Sequence, residues 1–545
     1  MKLAARSLFV LITLAATLAY AQTLHHFDHI IIVFQENRTP DNLFGSVPSV
    51  SPCNTDDPFE AGVDVRNCVN HYGVAQYFQP LHLNDAEDPG HFHGDWLTEC
   101  NANSSGACQM DGTCGNAGGW QKCYSYVYRA DVQPYFDIAT SYGFANYMFQ
   151  TNQGPSFPAH QFIFAGTSAP VPYNDPSGQW TWFVADNPQG IPFAGDNTGC
   201  TTLVTQPNEF ARTIDPIGTE KTSSYCSTHQ GTPYCLRTCY ERAPSPYNYG
   251  SLGDLLNANG FSWKYYTPTF DPTTENIHNG LWVAPIAINH FCQAGYSGNN
   301  YECLGLLPGG QYYSNMRYET KSNPYPIVDD INGCHLAAVS WAIPDRRWSD
   351  HGAENNGTGP AYVANIVNAV GNSNCDGGAG YWKNTAIFIT WDDWGGFADH
   401  VPPFANLNQQ NCNQWGCNYV YGFRVPMLVV SAYTPAGYVS GALPPNGNGE
   451  DAVHTHDFGS ILAFIENNFL GFSSIGTIGP PQYKFADAFA PDNVNGNIPL
   501  SDFFPNTQPR NFAPITIPSG YDASYFQNYF VNNPSDTPDG PDSDD

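Results

Sequence analysis

The chain has 545 residues, enough to bury a sizeable core in one large domain or two to three ordinary ones. A formal charge of −30 and a pI near 4.6 argue against nucleic acid as a general partner, because a phosphate backbone selects basic surfaces. Only 12% of residues are charged while glycine and proline number 51 and 44, the composition of a loop-rich extracellular chain.

Residues 1–21 read as a secretory signal: Lys2 and Arg6, a mostly apolar Leu8 to Leu18, then Ala19-Tyr20-Ala21 as an A-x-A cleavage site. Its removal brings the charge to about −32. No twin arginine is present, which favours the general export route. No later apolar run approaches the roughly 18 residues of a membrane span. The expected location is secreted or periplasmic, without stable membrane insertion. The 16 cysteines agree, since an even number in an exported chain suggests disulfides. They cluster at Cys100, Cys108, Cys114 and Cys123, at Cys226, Cys235 and Cys239, and at Cys412 and Cys417. Spacing does not fix their connectivity, and no C-x-x-C pair supports zinc.

The first element is the apolar run Ile30 to Phe34, which stops at Gln35-Glu36-Asn37-Arg38. Its length and β-branched content predict a buried strand of a parallel sheet. Ligands bind beyond the carboxyl ends of such strands, and Glu36 and Asn37 carry oxygens suited to a hard cation. A simple loop start is the competing reading. A polar stretch rich in Gly, Pro and Cys follows from Ser46 to Cys123 and holds His91 and His93. Pro134 to Phe149 is mixed. Pro158 then predicts a helix starting near Ser156, which is either a structural cap or a nucleophile at an anion-binding helix end.

Residues 185–245 form a second irregular, cysteine-bearing insertion. Leu252 to Gly260 reads as a short helix ended by glycine, and Phe261 to Tyr266 as a strand. His290 has little local support. Leu336 to Ile343 is another strand, followed by Ser349-Asp350-His351; Ala361 to Val370 is a helix. The strand Ala386 to Thr390 stops at Trp391-Asp392-Asp393-Trp394-Gly395-Gly396, where two adjacent carboxylates need a cation if buried. Arg424 to Ser431 reads as a strand. His454-Thr455-His456-Asp457 precedes an amphipathic helix that Asp457 could cap. The expected organisation is a signal over 1–21, a catalytic domain with insertions over 22–500, and a segment over 501–545 ending in an acidic disordered tail.

Nine blocks together carry a resemblance: HIIIVFQENRTPDNLFG (29–45), DPGH (88–91), GPSFP (154–158), GDLLNANGFSW (253–263), AAVSW (337–341), SDH (349–351), ITWDDWGGFADHVPP (389–403), FRVPMLVVS (423–431) and HDFGSILAFIE (456–466). In order and content they resemble the secreted phosphoesterase family of bacterial acid phosphatases and phospholipases C, over roughly residues 27–470. The resemblance implies an α/β fold of the alkaline-phosphatase type, an α/β/α sandwich around a large mostly parallel sheet. It implies one divalent metal ion on Glu36, Asn37, Asp392 and Asp393, with Ser156 as nucleophile. It implies that His91 and His351 contact the phosphoryl or leaving group, and carries over His290 where the family often has paired histidines. Pro158-Ala159 departs from the family's usual Pro-Asn. Calcium, magnesium, manganese and zinc all remain open.

The implied partner is a phosphate ester substrate. The leading expectation is a phosphomonoesterase of the acid phosphatase type, working through a phosphoserine. A phospholipase C-type phosphodiesterase is the alternative, and a catalytically inactive secreted binding protein the second alternative. The intact set of Glu36, Asn37, Ser156, Asp392 and Asp393 argues against the last.

Overall fold

The computed structural model describes residues 26–45, 87–103, 123–166, 251–268, 280–297, 300–399, 421–441, 455–471 and 500–540, with short runs between them. The proposed signal over 1–21, Cys114, Cys226, Cys412, Cys417, His454 and most of the second insertion lie outside the described residues.

Eight strands form the central sheet: β1 (His29–Gln35), β2 (Gly143–Ala145), β3 (Trp263–Thr267), β4 (Met316–Tyr318), β5 (Val339–Ala342), β6 (Thr385–Trp391), β7 (Met427–Ser431) and β8 (Tyr438–Ser440). Their order across the sheet is β4-β3-β5-β1-β6-β7-β2-β8. β7 runs antiparallel to β6 and β2, and the other neighbours are parallel. The apolar runs at 30–34 and 386–390 occupy the two central positions and are fully buried, as strands covered on both faces must be.

The principal helices are α1 (Pro40–Phe44), α2 (His93–Cys100), α3 (Gln133–Ser141), α4 (Ser156–Ala165), α5 (Leu252–Asn259), α6 (Pro326–Asn332), α7 (Gly359–Asn372) and α8 (Phe458–Leu470). Strand side chains alternate between faces, so each strand holds two helical layers at once. On one face Phe34 of β1 packs edge-on against His160 of α4 and Phe458 of α8, and the indole of Trp341 in β5 donates to Ile163 O. On the other, Trp391 of β6 packs against Tyr135 of α3, whose layer includes α7. This is the α/β/α sandwich the motifs imply.

Local signals hold where they were strongest. Gly260 ends α5 at φ +76, and Asp457 caps α8 by accepting from Ser460 N. Arg424 lies before β7 rather than in it. Its guanidinium is buried against Asp399 (3.0 Å) and Asp41 (3.3 Å), an ion pair that ties the loop after β6 to α1. Residues 134–149, which show no single period, divide into α3 and the short strand β2. Disulfides join Cys100 to Cys108, Cys200 to Cys239, Cys292 to Cys303 and Cys334 to Cys375. Among the described residues no helix is long and apolar enough to cross a membrane.

The C-terminal segment departs most from expectation. Residues 500–540 are docked, with Leu500, Phe503, Phe504, Ile515, Phe526 and Phe530 buried in the same core cluster as the sheet. The tail reading is therefore corrected for residues 532–540; residues 541–545 lie outside the described residues. Composition misled here because hydrogen bonds hold this polar stretch, which has no aromatic residue, against the rest of the chain: Lys321 Nζ donates to Pro534 O (2.9 Å) and Asp539 N to Asp345 Oδ2 (2.8 Å).

Candidate active site

β1 and β6 are parallel neighbours, with Gln35 opposite Trp391. The next residues, Glu36-Asn37 and Asp392-Asp393, therefore leave the sheet side by side. Asp392 N donates to Gln35 O (2.9 Å), and Asn37 N donates to Asp392 Oδ1 (2.9 Å). Asn37 reaches that position by adopting φ +61, a conformation asparagine tolerates. Arg38 N donates to Asp393 O at 2.9 Å, closing the second strand end over the first. Gly395 N donates to Asp393 Oδ1 (2.7 Å), and glycine is required there: φ is +61, and a Cβ would lie 2.3 Å from Asn37 O.

α4 brings the serine to this junction. Ser156 is its first residue, and Ser156 Oγ donates to Glu36 Oε2 at 3.2 Å. One turn on, His160 Nε2 donates to Glu36 Oε1 at 2.8 Å. Residues four apart share a helix face, so Ser156 and His160 meet the two oxygens of one carboxylate. His160 was not singled out in the sequence, although its spacing from Ser156 was the available signal. Beyond Ser156, the first turn of α4 offers few amides to an anion. Phe157 N donates to Asn187 Oδ1 (2.9 Å), position 158 is proline, and Ala159 N donates to Pro155 O (3.4 Å).

The arrangement fits a divalent cation. Ligand atoms of Glu36, His160 and Asp392 all lie within 4.8 Å of one another. Three carboxylates, Glu36, Asp392 and Asp393, are fully buried together, which is costly without a compensating positive charge. Asn37 Oδ1 is also buried and makes no hydrogen bond among the described residues. Its orientation has a cause. His91 Nδ1 faces Pro89 O (2.9 Å); a carbonyl only accepts, so Nδ1 carries the proton and Nε2 accepts from Asn37 Nδ2 (3.2 Å). His91 thereby fixes which way the Asn37 amide points.

His351 likewise donates from Nδ1 to Gly352 O (2.6 Å), leaving Nε2 as the basic atom of its neutral ring. Aromatic rings join these groups in an arc: His160 to Trp282 (6.1 Å), Trp282 to His351 (6.0 Å), His351 to His91 (6.3 Å) and His91 to Trp394 (6.3 Å). His93 stands apart from the arc, its Nδ1 donating to Gln153 O (2.7 Å). The loop before His351 also touches the first strand end, since Glu36 N donates to Ser349 O (2.8 Å). Asp350 lies below, accepting from Tyr135 Oη (2.6 Å) and Trp391 Nε1 (3.2 Å). Burial pushes its carboxyl up to about 6. Burial also lowers the Arg38 guanidinium to about 10, although Asp350 opposes that shift.

The fold thus gathers Glu36, Asn37, His91, Ser156, His351, Asp392 and Asp393. It does not bring His290 to this cluster. His290 Nε2 pairs with Asp254 Oδ1 (2.8 Å), and the adjacent Phe291 packs on Phe164, more than two helical turns beyond Ser156.

The profile of the Phosphoesterase family matches residues 27–470. A non-hemolytic phospholipase C of Burkholderia pseudomallei is 30% identical over 254 residues, covering 41% of this chain and 32% of that protein. The hemolytic phospholipase C of Pseudomonas aeruginosa is 21% identical over 475 residues, covering 82% of this chain and 53% of that protein. Phospholipase C A of Mycobacterium tuberculosis is 21% identical over 435 residues, covering 75% of this chain and 69% of that protein. The chain thus spans about a third of the first relative's length and about half of the second's. With a match running from the first strand through α8 and taking in every residue of the cluster above, the chain belongs to the phosphoesterase family.

Proposed function

We propose that the chain hydrolyses phosphoric esters through a phosphoserine at Ser156, in an exported setting that suits its disulfides. The observation that carries this reading is the contact of Ser156 Oγ with Glu36 Oε2 at the junction of two carboxylate-bearing strand ends. Ser156 Oγ is the attacking atom, and Glu36 Oε2 holds its proton. Glu36, Asn37, His160 and Asp392 would hold a divalent cation, with Asp393 beside them. Such an ion, when bound, acidifies a hydroxyl and offsets charge developing on the phosphoryl oxygens. A ligand set that includes an imidazole favours zinc over calcium.

His351 supplies the leaving-group proton from Nε2 when its ring is doubly protonated, because Nδ1–H is committed to Gly352 O. His91 is less suited to that role, since its Nε2 already accepts from Asn37. It acts on the reaction by orienting Asn37.

The relatives named phospholipase C favour a phosphodiester substrate, ahead of the phosphomonoester that is the leading expectation from sequence. The deciding experiment compares hydrolysis of a chromogenic phosphate monoester with that of a phosphocholine diester, in wild type and Ser156→Ala. We expect the diester to be preferred and the variant to lose at least about 10³-fold in kcat. Undiminished turnover by Ser156→Ala would overturn the nucleophile assignment. Preference for the monoester would restore the phosphatase reading.

A further inference from the structure

The loop from Asp345 to His351 carries two elements of the proposed site, His351 itself and the Ser349 carbonyl that receives Glu36 N. Ala353, just beyond the loop, holds φ +60, unfavourable for a residue with a Cβ, and Asp350 holds φ +71, a turn that its short polar side chain makes accessible. A conformation like that of Ala353 persists only where the surroundings over-determine it.

One clamp comes from the sheet side, where Tyr135 and Trp391 donate to the Asp350 carboxylate and Arg38 Nε donates to Asp350 O (2.9 Å). The other comes from residues 523–540, beyond the segment that matches the family. Trp348, fully buried, sits in a socket whose C-terminal wall is Phe526 (5.2 Å), Tyr529 (5.9 Å) and Phe530 (6.3 Å). The Arg347 guanidinium lies over Tyr529 and Phe530, at 5.6 and 5.5 Å from the ring centres. It also approaches Asp536 at 3.8 Å. Two hydrogen bonds join the segments through Asp539: Arg346 N donates to Asp539 O (3.0 Å), and Asp539 N donates to the Asp345 carboxylate at Oδ2 (2.8 Å). Aromatic packing, an ion pair and backbone hydrogen bonds thus converge on four consecutive loop residues, 345–348.

We propose that residues 523–540 are a strap that positions the loop 345–351, and through it His351 and the Glu36 backbone, with Phe526 as its principal positioning residue. The strap holds the loop at the height where His351 reaches the substrate. A displacement of about 1 Å at such a site can cost about 100-fold in rate. The catalytic consequence rests on the ester-hydrolase reading; the mechanical one does not.

The test uses the full chain with Phe526→Ala, Phe526→Leu and a control, Phe512→Ala. Phe512 belongs to the same C-terminal segment but packs on Trp382 (5.0 Å), before the start of β6 and away from Glu36. Hydrogen exchange followed by mass spectrometry reads the mechanics. In Phe526→Ala, peptides over 345–351 and the amide of Glu36 should exchange at least about tenfold faster; the control should leave both unchanged. Ester hydrolysis reads the chemistry. Phe526→Ala should lose about tenfold or more in kcat with little change in KM, Phe526→Leu should recover most of it, and Phe512→Ala should retain wild-type kcat. Should Phe526→Ala fail to fold, Tyr529→Ala takes its place with the same expected pattern, reduced in size.

Unchanged exchange at 345–351 and Glu36 would overturn the strap. Equal kcat losses in Phe526→Ala and the control would do the same. A wild type without esterase activity but with the selective exchange pattern would sink the proposed reaction and leave the strap standing.

Discussion

Ser156 and Glu36 are 120 positions apart in the chain, yet Ser156 Oγ donates to Glu36 Oε2 across 3.2 Å. The other oxygen of that carboxylate takes His160 Nε2, so one buried side chain ties the head of α4 to the end of β1. This is an economical way to hold a hydroxyl at a strand end, and it makes His160 part of the centre.

Replacing His160 with glutamine should weaken metal binding by about 10- to 100-fold, with activity restored by excess metal. Titrating activity against free zinc and manganese, beside metal analysis of protein purified without chelator, checks this. A variant with wild-type metal dependence would show that His160 only braces Glu36.

His351→Gln should discriminate between substrates by leaving group. An alkyl phosphate ester needs its departing oxygen protonated, so kcat should fall by about 100-fold or more. A p-nitrophenyl ester leaves readily and should lose less than about tenfold. Equal losses on both substrates would remove His351 from the acid role.

Asp350 makes a pH prediction whose sign follows from burial. Its carboxyl rises from 3.8 to about 6 in the folded protein, chiefly by desolvation, with the Tyr135 hydrogen bond and Arg38 opposing. Between those values the folded state binds the extra proton, so this group's contribution makes stability fall as pH rises from about 4 to about 6. The full penalty, of order 2–3 kcal/mol, is present above that window. Asparagine tolerates the positive φ here and keeps an acceptor for Tyr135. Urea unfolding of Asp350→Asn should therefore show a flatter pH profile than wild type across the window. An unchanged slope would rule out Asp350 as its source.

The parts of the fold legible in sequence were those with a local cause. Ile30 to Phe34 and Ala386 to Thr390 are apolar without alternation, which a two-sided sheet demands, and they proved to be adjacent central strands. Gly260 and Asp457 announce helix ends by their own chemistry. β2 was not legible, being three residues long and stabilised by its neighbours rather than by pattern. His160 was not legible, because only its place one turn after Ser156 on the same helix face ties it to Glu36. His290 was carried by family position alone, and its ring turns to Asp254.

The sequence by itself determined the central strands, the acidic residues at their ends, the helix that opens on Ser156 and the family to which the chain belongs. Each follows from local composition, a helix-start rule or a block of neighbouring residues. Tertiary structure alone decided that His160 shares Glu36 with Ser156, that the Phe157 amide of α4 is taken by Asn187, and that residues 523–540 pack against the His351 loop. Those outcomes depend on contacts between segments far apart in the chain. Glu36, the residue at the end of the first strand, has no assigned partner until the fold brings Ser156 and His160 to its two oxygens.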